Sequence, residues 1–187
     1  MAAAAFEITA ENLKREGGER DLESITMLPL AGRQLDNDAC IMIGKMCPNL
    51  VELDLSGNAI DDPAGLSCLK SLAKLRLTGN KVKSLRFAAG LAGLEQLFMQ
   101  ANQVGHMNEI KHLAGLAKLQ FFYLRNLDGS QPNPLTEHIA YRAGVIRQLE
   151  PLKILDGART DVLVRCRRRR CRRCHSPAAC VPLPCAA

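Results

Sequence analysis

Residues 165–187 hold five of the chain's eight cysteines and seven of its arginines, and with Val164 they read VRCRRRRCRRCHSPAACVPLPCAA. Cys171-x-x-Cys174-His175 is the run with the most evident chemistry. Two thiolates at that spacing can close on zinc, with Cys166 or Cys180 as a further ligand. A second properly spaced pair is missing, and arginines between thiolates provide little core, so no metal site is assigned. The same run fits the Cys-x-x-Cys-His pattern of haem attachment, which requires export and an enclosing apolar pocket. Cys185-Ala186-Ala187 is one residue short of a prenylation box. The expectation for this stretch is a disordered basic tail, able to hold phosphates or nucleic acid by charge alone. Its Arg, Cys, Ala and Pro are also what GC-rich DNA yields when read out of frame.

Elsewhere the reactive residue types do not converge. His106, His112 and His138 share no ligand spacing with Cys, Asp or Glu and read as solvated surface residues. Asp61-Asp62 precede Pro63 and read as carboxylates favoured at the start of a helical turn rather than as an acid–base pair. No nucleophile–base pair, phosphate loop or paired carboxylate site occurs, so no catalytic residue, no cofactor and no enzyme activity are expected. The net charge of +6 is uneven: without the seven arginines of 165–187, 18 basic residues face 19 acids over 1–164, or about −1. The three cysteines of the body, Cys40, Cys47 and Cys68, follow no pattern and suit a reducing compartment. The N-terminal residues resemble no secretory signal, and no apolar run is long enough to span a bilayer. A cytoplasmic address is expected, with nucleus or cilium as alternatives.

The order of the chain lies in its leucines. Leu50-x-x-Leu53-x-Leu55-x-x-Asn58-x-Ile60 recurs as Leu72, Leu75, Leu77, Asn80, Val82 and again as Leu94, Leu97, Met99, Asn102, Val104. A weaker copy runs Ile25, Leu28, Leu30, Leu35 with Arg33 in the asparagine slot. A fifth runs Leu119, Phe122, Leu124 with Leu127 in that slot. The steps between first positions are 25, 22, 22 and 25 residues. Leu53 and Leu55 are two apart, so they point to one side of a short strand, as do Leu75 with Leu77 and Leu97 with Met99. The asparagine can bond the backbone groups that a tight non-helical bend leaves open. Between copies, Leu66, Leu69 and Leu72 step by three, as do Ile110, Leu113, Leu116 and Leu119, which suits 3₁₀ or α turns. No unit can bury its face alone, so the units must stack on a shared core.

Three full copies in phase resemble the leucine-rich repeat in its short 22-residue form. Before the copies, Thr9 can cap a helix through AENLKRE, with Ile8 placed to staple against Leu13. After them, Tyr141, Val145 and Leu149 keep helical spacing, Pro151 breaks the helix, and Leu152, Ile154 and Leu155 close the end. Asn133-Pro134, Tyr141 and Leu155-Asp156-Gly157 resemble the C-terminal cap shared by the U2 snRNP A′ protein and the acidic nuclear phosphoproteins. The resemblance runs over roughly residues 8–158. It implies an α/β leucine-rich-repeat solenoid of about five repeats, with short parallel strands on the concave face and 3₁₀ or α turns outside. The expected divisions are an N-terminal cap region (1–24), repeats (25–132), a C-terminal cap (133–158) and the Arg/Cys-rich tail (159–187).

Function in such a fold sits on the strand residues between the leucines. The candidate partner-binding residues are Glu52, Asp54, Lys74, Arg76, Gln96, Phe98, Phe121, Tyr123 and Arg125, with Met27, Pro29, Ala31, Ser56, Thr78 and Gln100 on the same side. Adjacent strands would set Glu52 opposite Lys74 and Asp54 opposite Arg76, with Phe98 and Tyr123 continuing the second row. The expectation is a monomeric, non-catalytic scaffold that grips a protein on this face. Local packing is the competing account: the charges would neutralise each other and Phe121 would turn under the cap. A nuclear RNA-associated protein using the tail is the alternative. The resemblance also implies phosphatase regulators and axonemal dynein light chains as relatives.

Overall fold

The computed structural model describes residues 6–160. The zinc and haem patterns at Cys171, Cys174 and His175 lie outside them. Seven short strands form one sheet in chain order. They are β1 (Met27–Pro29), β2 (Glu52–Asp54), β3 (Lys74–Arg76), β4 (Gln96–Phe98), β5 (Phe121–Tyr123), β6 (Ile154–Leu155) and β7 (Ala158–Arg159). All neighbours are parallel except β6 and β7. The middle residue of each of β1–β5 is buried while its flanks are not, as the two-residue side-chain period demands. The register puts Leu28, Leu53, Leu75, Leu97, Phe122 and Leu155 in a single row, all fully buried. Burial of each such side chain stabilises by about 1.5–3 kcal/mol, so the row holds adjacent coils face to face.

The outer side is built from different pieces. Helix α1 (Ala10–Gly17) starts where the Thr9 hydroxyl accepts from the Asn12 amide at 3.2 Å. It ends at Gly18, whose φ of 70° only glycine adopts without cost. Ile8 and Leu13 are buried beneath it. The first long step holds a full helix, α2 (Asn37–Met46), capped by Asp36 through the Ala39 amide. The 22-residue steps have room only for 3₁₀ turns, at Ala64–Cys68 and Arg86–Gly90. Asp62 accepts from the Ala64 amide at 3.2 Å, the turn-opening role its position suggested.

One side chain per coil ties that coil to its predecessor. Asn58 accepts from the Arg33 and Leu35 amides and donates to the Leu30 and Leu55 carbonyls. Asn80 bonds Ile60, Leu55 and Leu77, and Asn102 bonds Val82, Leu77 and Met99 in the same manner. Each of these polar side chains is buried. The alternative, backbone groups left unpaired in a leucine core, costs about 1–3 kcal/mol apiece.

Two slots depart from the sequence expectation. Leu127 does not occupy the fifth asparagine position: it is 72% exposed on a loop. That rung is Asn133, which accepts from the Val104 amide and donates to the Met99 and Leu124 carbonyls. The residues between Leu124 and Asn133 loop out, so the ladder resumes nine positions on instead of three. Arg33 does not fill the first slot either. Its guanidinium reaches Glu16 at 2.9 Å and lies 5.1 Å from the Phe6 ring, joining the first coil to the N-terminal cap.

The last rung is Asp156, 2% exposed. One oxygen accepts from the Leu124 and Arg125 amides, the other from the Tyr141 hydroxyl at 2.8 Å. Tyr141 opens α3 (Tyr141–Gln148), so the helix is pinned to the final strands through this carboxylate. The Thr160 amide and hydroxyl also bond the backbone at Leu152 and Lys153. Tyr141→Phe is expected to destabilise by about 2 kcal/mol, because a buried carboxylate oxygen loses its donor; urea unfolding followed by circular dichroism measures it. Burial, and then the Asp156 carboxylate, push the Tyr141 phenol far above its ordinary value. Its stability contribution is therefore complete below about pH 10 and falls at higher pH, where the unfolded phenol ionises first. That alkaline component should vanish in the variant.

Candidate protein-binding face

The concave side is organised in rows that run across the strands, about 4.8 Å per step. The first row is Met27, Glu52, Lys74, Gln96, Phe121 and Ile154. Glu52 and Lys74 form an ion pair, with 32% and 25% of their side chains exposed. A pair this open contributes about 0–1 kcal/mol, so it sets local charge more than stability. Met27 is 57% exposed at the N-terminal edge. Phe121 does not turn under the cap; it stays half-buried between Gln96 and Ile154.

The second row is Pro29, Asp54, Arg76, Phe98 and Tyr123. Asp54 and Arg76 face each other in register but do not form the expected ion pair. Asp54 accepts from the Ser56 amide at 2.9 Å, which closes its own turn. Arg76 instead lies over the Phe98 ring, its guanidinium carbon 5.2 Å from the centroid. Phe98 stacks on Tyr123 with centroids 4.8 Å apart and planes 9° from parallel. The arginine chooses the aromatic because a flat guanidinium gains about 0.5–2 kcal/mol over a ring face and buries its stem there. The three side chains make one continuous stack, half-buried on a surface whose underlying leucines are fully buried.

Two residues on this side are held by partners elsewhere in the chain. Gln100, 9% exposed, accepts from the Thr78 hydroxyl and donates to Asn126. Arg125 reaches back toward Asp156 at 3.8 Å. Sequence spacing could not separate these from their neighbours, because their partners lie 22 to 31 residues away.

Comparison with known proteins matches this geometry. Internalin C2 of Listeria monocytogenes superposes with a TM-score of 0.56 at 24% identity, over 78% of this chain and 61% of that chain. A chain of the Drosophila melanogaster SNF/U2A′ complex gives 0.55 at 18% identity, over 72% and 74%. A leucine-rich-repeat protein of Leptospira interrogans gives 0.51 at 27% identity, over 62% of this chain and 27% of its own.

The chain has the leucine-rich-repeat fold.

No protein-family model matches the sequence, and no curated protein matches it. The leucine-rich-repeat character therefore rests on the repeat spacing and the coil geometry. The chain spans about three-fifths of the internalin and about a quarter of the Leptospira chain. Within the described residues of this leucine-rich-repeat fold, no three His, Cys, Asp or Glu side chains are grouped to hold a metal. Cys40 and Cys47 are buried, and burial pushes the Cys40 thiol up to about 12. Such a thiol stays protonated and is a poor nucleophile or ligand. Among the same residues no helix is long and apolar enough to cross a membrane.

Proposed function

We propose that this leucine-rich-repeat solenoid is a non-catalytic scaffold that docks a protein partner on its concave face. The observation that supports this is the Arg76–Phe98–Tyr123 stack, three large side chains presented together on a rigid sheet. Aromatic and arginine side chains of this kind dominate binding energy in protein interfaces, and stacking prepays the entropy of ordering them. Glu52, Lys74, Gln96, Phe121 and the N-terminal edge at Met27 form the surrounding rim; Arg125 contributes from its link to Asp156. The protein acts as a monomer in the cytoplasm on this reading. A combined Arg76→Ala, Phe98→Ala, Tyr123→Ala variant should keep its thermal midpoint within a few degrees. It should lose at least about 30-fold in affinity for proteins captured by the wild type, the effect of one strong hot spot. An unchanged capture profile from the folded triple variant removes the assignment.

A second reading is supported by the seven arginines of 165–187 and by likeness to a chain of the SNF/U2A′ complex. It makes the protein RNA-associated through its tail. Full-length protein should then bind RNA with a steep salt dependence that residues 1–160 lack. Equal binding by both, or none, excludes it.

A further inference from the structure

The cations of the concave face are not equivalent. Lys74 is paired with Glu52, and Arg125 reaches Asp156. Arg76 has no ion-pair partner within the described residues: Asp54, its neighbour across the register, turns to the Ser56 amide. The Arg76 Nε is buried without a hydrogen-bond partner, so an incoming anion would meet the terminal amines. A guanidinium carries five N–H donors in a fixed fork. Here the fork lies over the Phe98 ring, and no hydrogen bond or ion pair within the described residues receives it. An arginine kept ordered and unpaired beside two stacked rings is prepared for an anion from outside.

We propose that the partner docks through a carboxylate: a peptide segment places an Asp or Glu side chain on the Arg76 fork and an adjacent aromatic or aliphatic side chain over Phe98 and Tyr123. This rests on the concave-face reading above and adds the chemistry of the partner. The spacing sets the composition, since the guanidinium lies 5.2 Å from the Phe98 centroid and the rings lie 4.8 Å apart. One acid therefore sits one side chain away from its apolar neighbour. A phosphate with stacked bases could use the same three groups. The face favours the peptide, because Asp54 borders Arg76 on the next strand and repels a polyanion more strongly than a single carboxylate. A single carboxylate, by contrast, needs one cation. Residues 1–164 carry about −1 and offer no basic stripe.

A randomised peptide display library panned against the full-length protein tests this. Selected peptides should pair Asp or Glu with an aromatic or aliphatic residue. A synthetic consensus peptide should bind Arg76→Glu at least ten-fold more weakly, and its acid-to-lysine version should recover binding on Arg76→Glu. Arg76→Gln, which removes charge without reversing it, serves if Arg76→Glu fails to fold by circular dichroism, and should also cost at least ten-fold. No acid enrichment, or a consensus peptide indifferent to both substitutions, overturns the proposal. If such peptides still lose binding on Phe98→Ala with Tyr123→Ala, the concave-face reading survives and only the carboxylate anchor fails. If they do not, or if no peptide is selected, both fail. Random-sequence RNA that binds in an Arg76-dependent manner when peptides do not also overturns the carboxylate assignment.

Discussion

Asn102→Ala should lower the unfolding free energy by about 1–3 kcal/mol, since the buried Val82 amide loses its only partner. The asparagine is 5% exposed and serves two coils. Its oxygen accepts from the Val82 amide at 3.0 Å, and its amide donates to Leu77 at 2.7 Å and to Met99 and Gln100 at 3.1 Å. Alanine leaves the Val82 donor facing hydrocarbon with no room for bulk water, while the Leu77, Met99 and Gln100 carbonyls keep the Asn80, Asn133 and Gly79 donors. Asn102→Asp separates hydrogen bonding from volume. It keeps an acceptor for Val82 but points a carboxylate at three carbonyl oxygens, so it should be as damaging as alanine. Chemical denaturation followed by circular dichroism reads both. A loss under 1 kcal/mol in either variant contradicts the view that these side chains bind coil to coil.

Gly65→Ala should cost about 2–4 kcal/mol through overpacking. A Cβ at Gly65 would lie 2.5 Å from the Ile41 nitrogen and 2.6 Å from its Cα. Both are backbone atoms of α2, so no rotamer change relieves the clash. Gly44 approaches the Gly65 carbonyl from the other side, and the Cys68 thiol donates to both carbonyls. The first outer helix and the following 3₁₀ turn therefore meet backbone to backbone. Gly115→Ala is the control: nothing lies within 4 Å of a Cβ there. It should change stability by less than about 0.5 kcal/mol, as surface substitutions do. Equal losses at the two sites would mean that glycine flexibility, not close approach, sets the effect at Gly65.

The buried rows were legible because they are local. Leu53, Leu55 and Asn58 occupy one strand and one turn, and three copies repeat the same few contacts at fixed spacing. The Thr9 cap and the burial of Ile8 and Leu13 were legible for the same reason. Leu127 was misplaced because the pattern was extended across a loop whose length no local rule sets; Asn133 reaches the vacant rung only after that loop folds back. Asp156 stood out in sequence as part of a cap motif, yet its job depends on Leu124, Arg125 and Tyr141 converging on one carboxylate.

The candidate face divides along the same line. Periodicity alone determined which residues point inward to the core and which are left on the concave side, because alternate strand residues must take opposite faces. It could not determine which neighbour each of those residues would choose. Arg76 had Asp54 on one strand and Phe98 on the other; a half-buried site rewards flat stacking over a solvent-exposed ion pair, and only the assembled sheet brought that competition about.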